Sequence, residues 1–312
     1  MILRLAHVEL RVTDLEFARR FYVEVLGFTE ALRVEGGLYL RASEEFDLWS
    51  LRLTPASAPG LGHCAFRVSS PAFLEELEAL HRSLGLPVHR VPAGQEPGQG
   101  EALRARTPEG FPVEFVHEME EIPLYDARHR PHLPTRHLDH PPGSRPLRID
   151  HIHLRTPDPE GHLSYWERTL GFRAFAYVTS GERIRSAFLR RRPATHDVAL
   201  ATGNSPGLHH VAYYVADWND LAYFANRLSR CGMSERIELG PTRHNLSNAF
   251  CMYIRDPSGN RLELFTGDYQ RDLDREPIRW EEEDYRLRGW NAWNTYMPAS
   301  LVECTGIQGP WP

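Results

Sequence analysis

Residues 6–28 read AHVELRVTDLEFARRFYVEVLGF, and residues 150–172 read DHIHLRTPDPEGHLSYWERTLGF. The two align without a gap. His7 falls on His151, Asp14 on Asp158, Glu16 on Glu160, Tyr22 on Trp166, and Gly27-Phe28 on Gly171-Phe172. In each copy an alternating strand is followed by an Asp that opens a helix, an amphipathic run and a terminating Gly. In the first copy Leu15, Ala18, Tyr22, Val25 and Leu26 form the apolar stripe.

A second pair of segments repeats the pattern. Pro59-Gly-Leu-Gly-His-Cys-Ala-Phe-Arg-Val68 matches Pro206-Gly-Leu-His-His-Val-Ala-Tyr-Tyr-Val215, and a helical period follows each. Leu74, Leu77, Leu80 and Leu84 mark one helix and Leu221, Phe224 and Leu228 the other, stopping at Gly85 and near Gly232. Short alternating segments close each unit: 38–41 and 48–53, 101–106 and 111–116, 186–190 and 198–201, and 249–255 and 261–265. The expectation is an α+β chain of four strand-helix-strands units in two related halves. Domain limits follow: 1–122 for the first half, 123–147 for a linker rich in Pro and His, 148–270 for the second half, and 271–312 for a polar, aromatic tail.

Composition narrows the function. All 36 basic residues among the 312 are Arg, which excludes Schiff-base lysine chemistry and the lysine-bearing phosphate loop. A net charge of −6 without a basic cluster gives no footprint for nucleic acid or an anionic membrane. The four cysteines form no CxxC pair, and no apolar run approaches membrane-spanning length, so a cytoplasmic protein with reduced thiols is expected.

Chemistry concentrates in the second half. His151 lies on the first strand of unit three, His210 on the first strand of unit four, and Glu263 on its last strand. Two imidazoles and one carboxylate leave half of an octahedral metal open, as non-haem Fe(II) needs in order to meet a substrate and O₂. Alternation puts Arg261, Glu263 and Phe265 on one strand face and Leu262 and Leu264 on the other, so Glu263 belongs to a cavity wall.

Together with the four-unit repeat, Asp150-His151, Leu208-His-His-Val-Ala212 and Asp256-Pro-Ser-Gly-Asn-Arg-Leu-Glu263 resemble the type I extradiol ring-cleaving dioxygenases of the vicinal oxygen chelate (glyoxalase/bleomycin-resistance/dioxygenase) superfamily. The segments Thr195-His-Asp-Val-Ala-Leu200, Gly240-Pro-Thr-Arg-His-Asn-Leu-Ser-Asn-Ala-Phe250 and Met252-Tyr-Ile-Arg-Asp256 resemble the branch that cleaves 3,4-dihydroxyphenylacetate.

The resemblance implies four βαβββ units in two tandem domains. It makes His151, His210 and Glu263 the ligands of one Fe(II) or Mn(II) per chain, His196 the acid/base catalyst, and Tyr253 a hydrogen-bonding partner of the substrate oxygen. His244, Arg288, His153, Phe188 and Leu246 are implied for substrate binding. The implied activity is extradiol cleavage of a catecholic substrate, 3,4-dihydroxyphenylacetate, with O₂ to a 2-hydroxymuconate semialdehyde in aromatic catabolism, within a homo-oligomer, commonly a tetramer.

This chain has Leu239 where that branch places an arginine for the substrate carboxylate, His153 where it carries Asn, and Phe188 where it carries Trp. A sister reading therefore keeps the reaction and changes the ring to catechol or an uncharged alkylcatechol. Lyases, isomerases and metal-free aromatic-binding modules of the same superfamily are the more distant readings.

The repeat also places His7, His63 and Glu114 on the three ligand positions, but Trp49 on His196 and Arg104 on Tyr253. A buried Arg opposes a divalent cation and is available to pair with Glu114. The first half is therefore expected to hold a polar relic and no metal.

Overall fold

The computed structural model describes residues 1–122 and 144–309. Residues 123–143, which carry most of the expected linker with His129, His132, His137 and His140, lie outside the described residues. Unit one runs β1 (Ile2–Val12), α1 (Leu15–Arg19), β2 (Thr29–Val34), β3 (Gly37–Arg41) and β4 (Leu51–Pro55). Unit two is β5 (Gly60–Val68), α2 (Pro71–Ser83), β6 (Val88–Val91), β7 (Ala102–Arg106) and β8 (Pro112–Val116).

Unit three is β9 (Arg148–Thr156), α3 (Pro159–Ser164), β10 (Arg173–Ser180), β11 (Arg183–Arg190) and β12 (Val198–Thr202). Unit four is β13 (Gly207–Tyr214), α4 (Trp218–Arg230), β14 (Ile237–His244), β15 (Ala249–Arg255) and β16 (Arg261–Thr266). The four-unit expectation holds, with one strand per unit (β2, β6, β10, β14) beyond those marked by alternation.

Helix starts follow the sequence. Asp14 accepts from Phe17 N at 2.8 Å and Asp158 from Gly161 N at 3.0 Å. Gly27 and Gly171 end the two copies at φ 84° and 73°, a left-handed conformation that side chains with a Cβ resist. The helices between are not uniform. α1 runs into a π-helical turn, Arg20–Val25, and α3 into another, Tyr165–Thr169. The wider turn lets the neighbours Phe21 and Tyr22 both be buried, as it does Tyr165 and Trp166. In α2 the expected stripe is altered at its end. Leu84 is exposed, and His81 takes the inward position, with Nε2 2.8 Å from the Tyr165 hydroxyl of the other half.

Each half forms one sheet. The orders are β2-β3-β4-β1-β5-β8-β7-β6 and β14-β15-β16-β13-β9-β12-β11-β10-β17, where β17 (Ile278–Glu281) comes from the tail. A further tail strand, β18 (Gly306–Ile307), pairs with β5 of the first half.

Alternation then divides each strand between two faces. Val8, Leu10, Ile152, Leu154, Val211, Tyr213, Leu262 and Leu264 join one apolar core shared by both halves, with edge-on ring contacts such as Phe28–Tyr213 and Phe66–Trp166. Each such buried leucine contributes about 1.5–3 kcal/mol. The residues between them, among them His151, His210 and Glu263, are thereby turned to the opposite face, where the site forms. A register slip of one residue would reverse both assignments.

Candidate metal centre and active site

Three adjacent strands bring the triad together. Ala212 on β13 pairs with His151 on β9 on one side and with Glu263 on β16 on the other, and His210 stands two residues before Ala212. His210 Nε2 lies 2.9 Å and His151 Nε2 3.3 Å from Glu263 Oε2, and the two nitrogens are 3.4 Å apart. All three residues are buried.

The outer partners fix which nitrogens carry protons. His151 Nδ1 donates to Asp150 Oδ2 at 3.0 Å, which turns its Nε2 towards Glu263. His209 Nε2 donates to Leu301 O at 2.8 Å, so its Nδ1 accepts from His210 Nδ1 at 2.6 Å and the His210 Nε2 lone pair also faces Glu263. Two imidazole nitrogens and one carboxylate oxygen converge on one point, where the buried carboxylate draws a positive charge, supplied either by a proton on His151 Nε2 or by a metal cation. Asp150 is itself held by Arg192, which also binds Asp197.

The electrostatics agree with a cation at this point. Burial alone would push His151 down, but hydrogen bonds to Asp150 and Glu263 override it and raise the imidazole to about 9. Burial pushes His210 down to about 4. Glu263, despite its burial, is held well below the ordinary carboxylate range by the two imidazoles. The donor set, two imidazoles whose Nε2 atoms face one ionised carboxylate, fits Fe(II) or Mn(II) with open positions.

Around the triad the structure gathers nine of the ten sequence-predicted residues into one narrow cavity: His151, His153, Phe188, His196, His210, His244, Leu246, Tyr253 and Glu263. The His196 ring packs on His151 with centroids 4.0 Å apart, and its Nδ1 meets Thr195 Oγ1 at 3.1 Å. Burial pushes His196 well below its ordinary value, so the ring is neutral. The Tyr253 hydroxyl lies 3.0 Å from His244 Nε2.

Arg288 is the residue that the structure leaves outside. Its side chain is 69% exposed, pairs with Asp284, and lines a separate outer groove with Arg271 and Arg279. Sequence reasoning did not single out Thr195 or Asp268. Asp268 Oδ2 accepts from Thr195 N at 3.1 Å, and burial pushes its carboxyl up to about 6. No spacing pattern marks it, because it lies past the end of β16. Tyr285 and Trp290 of the tail complete the wall.

The first half repeats the geometry with different closure. Ala65 pairs with His7 and with Glu114, and His7 Nε2 lies 3.2 Å from Glu114 Oε1 and 3.2 Å from His63 Nε2. Trp49 packs on His7 at 4.3 Å, as His196 packs on His151. Arg104 Nε lies 2.7 Å from Glu114 Oε2, and Gln99 donates to Oε1 at 3.0 Å.

The family model of the Glyoxalase/Bleomycin resistance protein/Dioxygenase superfamily matches residues 4–115 and 148–264. A manganese-dependent 2,3-dihydroxybiphenyl 1,2-dioxygenase of Geobacillus genomosp. 3 is 31% identical over 290 residues, 91% of each chain. A metapyrocatechase of Geobacillus stearothermophilus is 32% identical over 312 residues, 96% of this chain and 92% of the relative. The homoprotocatechuate 2,3-dioxygenase of Brevibacterium fuscum, solved with 3,4-dihydroxyphenylacetate, superimposes with a TM-score of 0.90 at 36% identity over 98% of this chain and 93% of that one.

The chain belongs to the extradiol ring-cleaving dioxygenases of this superfamily. An extradiol dioxygenase is an oxidoreductase that works with Fe(II) or Mn(II), and this one carries the donor residues for such an ion. Among its described residues no helix is long and apolar enough to cross a membrane.

Proposed function

We propose that this dioxygenase opens a catechol whose ring substituent, if any, is small and uncharged, giving a 2-hydroxymuconate semialdehyde product with both atoms of O₂ incorporated. One observation carries the substrate class. Among the described residues the cavity wall has no guanidinium, and Leu239, which pairs with Tyr253, sits in an apolar cluster with Ala212, Ala249 and Phe265. A carboxylate brought there would forgo a charged hydrogen bond worth about 1.5–3 kcal/mol.

In this reading His151, His210 and Glu263 hold the metal. When bound, the ion supplies Lewis acidity towards the catechol oxygens and a path for electrons from the ring to O₂. The neutral His196 takes a proton from a catechol hydroxyl and returns it later in the cycle, a role typically worth ~10²–10⁴-fold. Its Nδ1 is occupied by Thr195, so Nε2 is the nitrogen assigned to the transfer. Tyr253 and His244, already joined, orient the substrate oxygen. Phe188, Leu246, Tyr285 and Trp290 exclude water from the ring. The first half would then have no catalytic role, and the tail would close the cavity.

A second reading, cleavage of 3,4-dihydroxyphenylacetate, is favoured by the likeness to the Brevibacterium fuscum enzyme. It needs Arg288 to turn inward from its pair with Asp284. Aerobic assays of the Fe(II)- and Mn(II)-loaded protein on catechol, 3-methylcatechol and 3,4-dihydroxyphenylacetate test the choice. The expected order has the carboxylated ring last in kcat/KM by at least tenfold. A first place for it would overturn the uncharged-substrate reading, and no yellow product from any ring would overturn the reaction.

A further inference from the structure

Glu263 has two carboxylate oxygens, and the triad uses only one. Oε2 faces His151 and His210, while Oε1 faces the other way, 3.9 Å from His244 Nε2. On that side stands Cys251, a fully buried thiol on β15 that the reaction does not use. Its Sγ is 3.2 Å from His244 Nε2. One ligand atom each from His244, Cys251 and Glu263 falls within 4.8 Å of the other two.

The His244 imidazole is prepared in the same way as the triad imidazoles. Its Nδ1 donates to the Trp290 carbonyl, so its Nε2 lone pair is turned inward. That lone pair is approached by the Tyr253 hydroxyl and the Cys251 thiol, and the thiol has the Glu263 carboxylate as a second hydrogen-bond partner, so sulfur, imidazole and carboxylate are already in mutual contact. Nitrogen and sulfur ligands on a tetrahedral ion stand about 3.5 Å apart, given metal–ligand bonds of roughly 2.0–2.3 Å. The observed 3.2 Å between sulfur and nitrogen needs only a small adjustment.

We propose that His244, Cys251 and Glu263 Oε1 form a second cation site, selective for thiophilic ions such as Cd²⁺ and Zn²⁺, that shares the Glu263 carboxylate with the catalytic metal and blocks the enzyme when filled. Sulfur gives the selectivity: a thiolate binds soft and borderline ions in preference to Mg²⁺, Ca²⁺ or Mn²⁺. Binding releases the thiol proton to solvent and withdraws His244 from the substrate. The ion enters through the cavity that His244 and Glu263 already line. The sharing of Glu263 rests on the metal-centre reading above, whereas the pair of sulfur and nitrogen ligands does not.

The test uses full-length, Mn²⁺-loaded enzyme carrying Cys231→Ser and Cys304→Ser, which removes the two thiols of this chain that are not buried. Titration with Cd²⁺ should give a thiolate-to-cadmium charge-transfer band at one equivalent, with the Mn²⁺ retained. Adding Cys251→Ser or Cys251→Ala should abolish the band and raise the Cd²⁺ concentration for half-inhibition, each variant scored against its own cadmium-free rate, by at least tenfold. His151→Ala should lose Mn²⁺ yet keep the band. Were His151→Ala to keep its Mn²⁺, the triad reading would fail while a persisting band upheld the cadmium site. A band equal in the presence and absence of Cys251, or one-for-one displacement of Mn²⁺ without a band, would overturn the proposal.

Discussion

Arg104 Nε donates to Glu114 Oε2 across 2.7 Å, and the two residues are register partners on β7 and β8 just as Tyr253 and Glu263 are on β15 and β16. The first half thus keeps the ligand residue types of the second and places a guanidinium where the second half has a phenol. Its positive charge is already delivered by the protein, with Glu96 as a further partner of Arg104. Purified, reconstituted enzyme should therefore hold close to one Fe or Mn per chain. His63→Ala should leave that content unchanged, and His210→Ala should abolish it. Two equivalents by elemental analysis, one of them lost with His63, would make the first half a metal domain.

His210→Ala and Glu263→Ala should each lose the metal and lower turnover at least 10³-fold, because a three-ligand site that loses one ligand loses both affinity and geometry. Circular dichroism should show the sheets intact, since the shared core lies on the opposite strand face. Metal retained with ordinary turnover in either variant would remove that residue from the centre.

His196→Asn and His196→Phe should retain the metal, because the ring packs on His151 without belonging to the triad. A chemical step should slow by ~10²–10⁴-fold. Stopped-flow mixing of the anaerobic substrate complex with O₂ checks this, and unchanged rates in both variants would exclude His196 from proton transfer.

Arg288→Ala separates the two substrate readings. With Arg288 in the outer groove and paired with Asp284, kcat/KM for catechol should stay within about twofold, as for other exposed pairs of small energetic weight. A KM for 3,4-dihydroxyphenylacetate raised tenfold or more, with catechol unaffected, would show that the side chain turns inward to a carboxylate.

Glu238 joins Arg255 and the fully buried Arg261, with its bonds to Arg261 at 2.6 and 3.0 Å. Burial opposes its charge, but these arginines prevail and hold the carboxyl down at about 2. A depressed carboxylate stabilises the fold above its unfolded value, near 4.3, and that contribution fades as pH falls towards 2. Glu238→Gln should cost about 2–3 kcal/mol in urea unfolding at pH 7, by leaving Arg261 buried without its anion. The difference from the parent should shrink below about pH 4. A pH-independent difference would mean that the loss is one of packing.

Much of the site was legible because strands carry side chains with a fixed period. His151, His210 and Glu263 sit at matching places in repeated units, and the alternation of Leu262, Glu263, Leu264 and Phe265 by itself separates core from cavity. Cys251 was not legible as a ligand candidate. A cysteine in an apolar strand looks like core, and only the approach of β14 and β16 to its two sides sets His244 and Glu263 beside it. His81 was hidden for a related reason, since its partner Tyr165 belongs to the other half of the chain.

The sequence by itself determined the four repeated units, the two halves, the helix starts at Asp14 and Asp158, and which residue types could serve a metal. These are set by local spacing and capping, which act within a few residues of chain. The residue types that distinguish the two triads stand in the sequence, but only the tertiary structure decided how one is closed and the other left open. That outcome depends on what packs over each from distant segments: Trp49 and Arg104 close one, while His196, Tyr253 and the tail residues Tyr285 and Trp290 leave a cavity at the other. It likewise left Arg288 in an outer groove, because a charged side chain joined to an exposed carboxylate keeps its hydration, and no pattern in the chain specifies which way it turns.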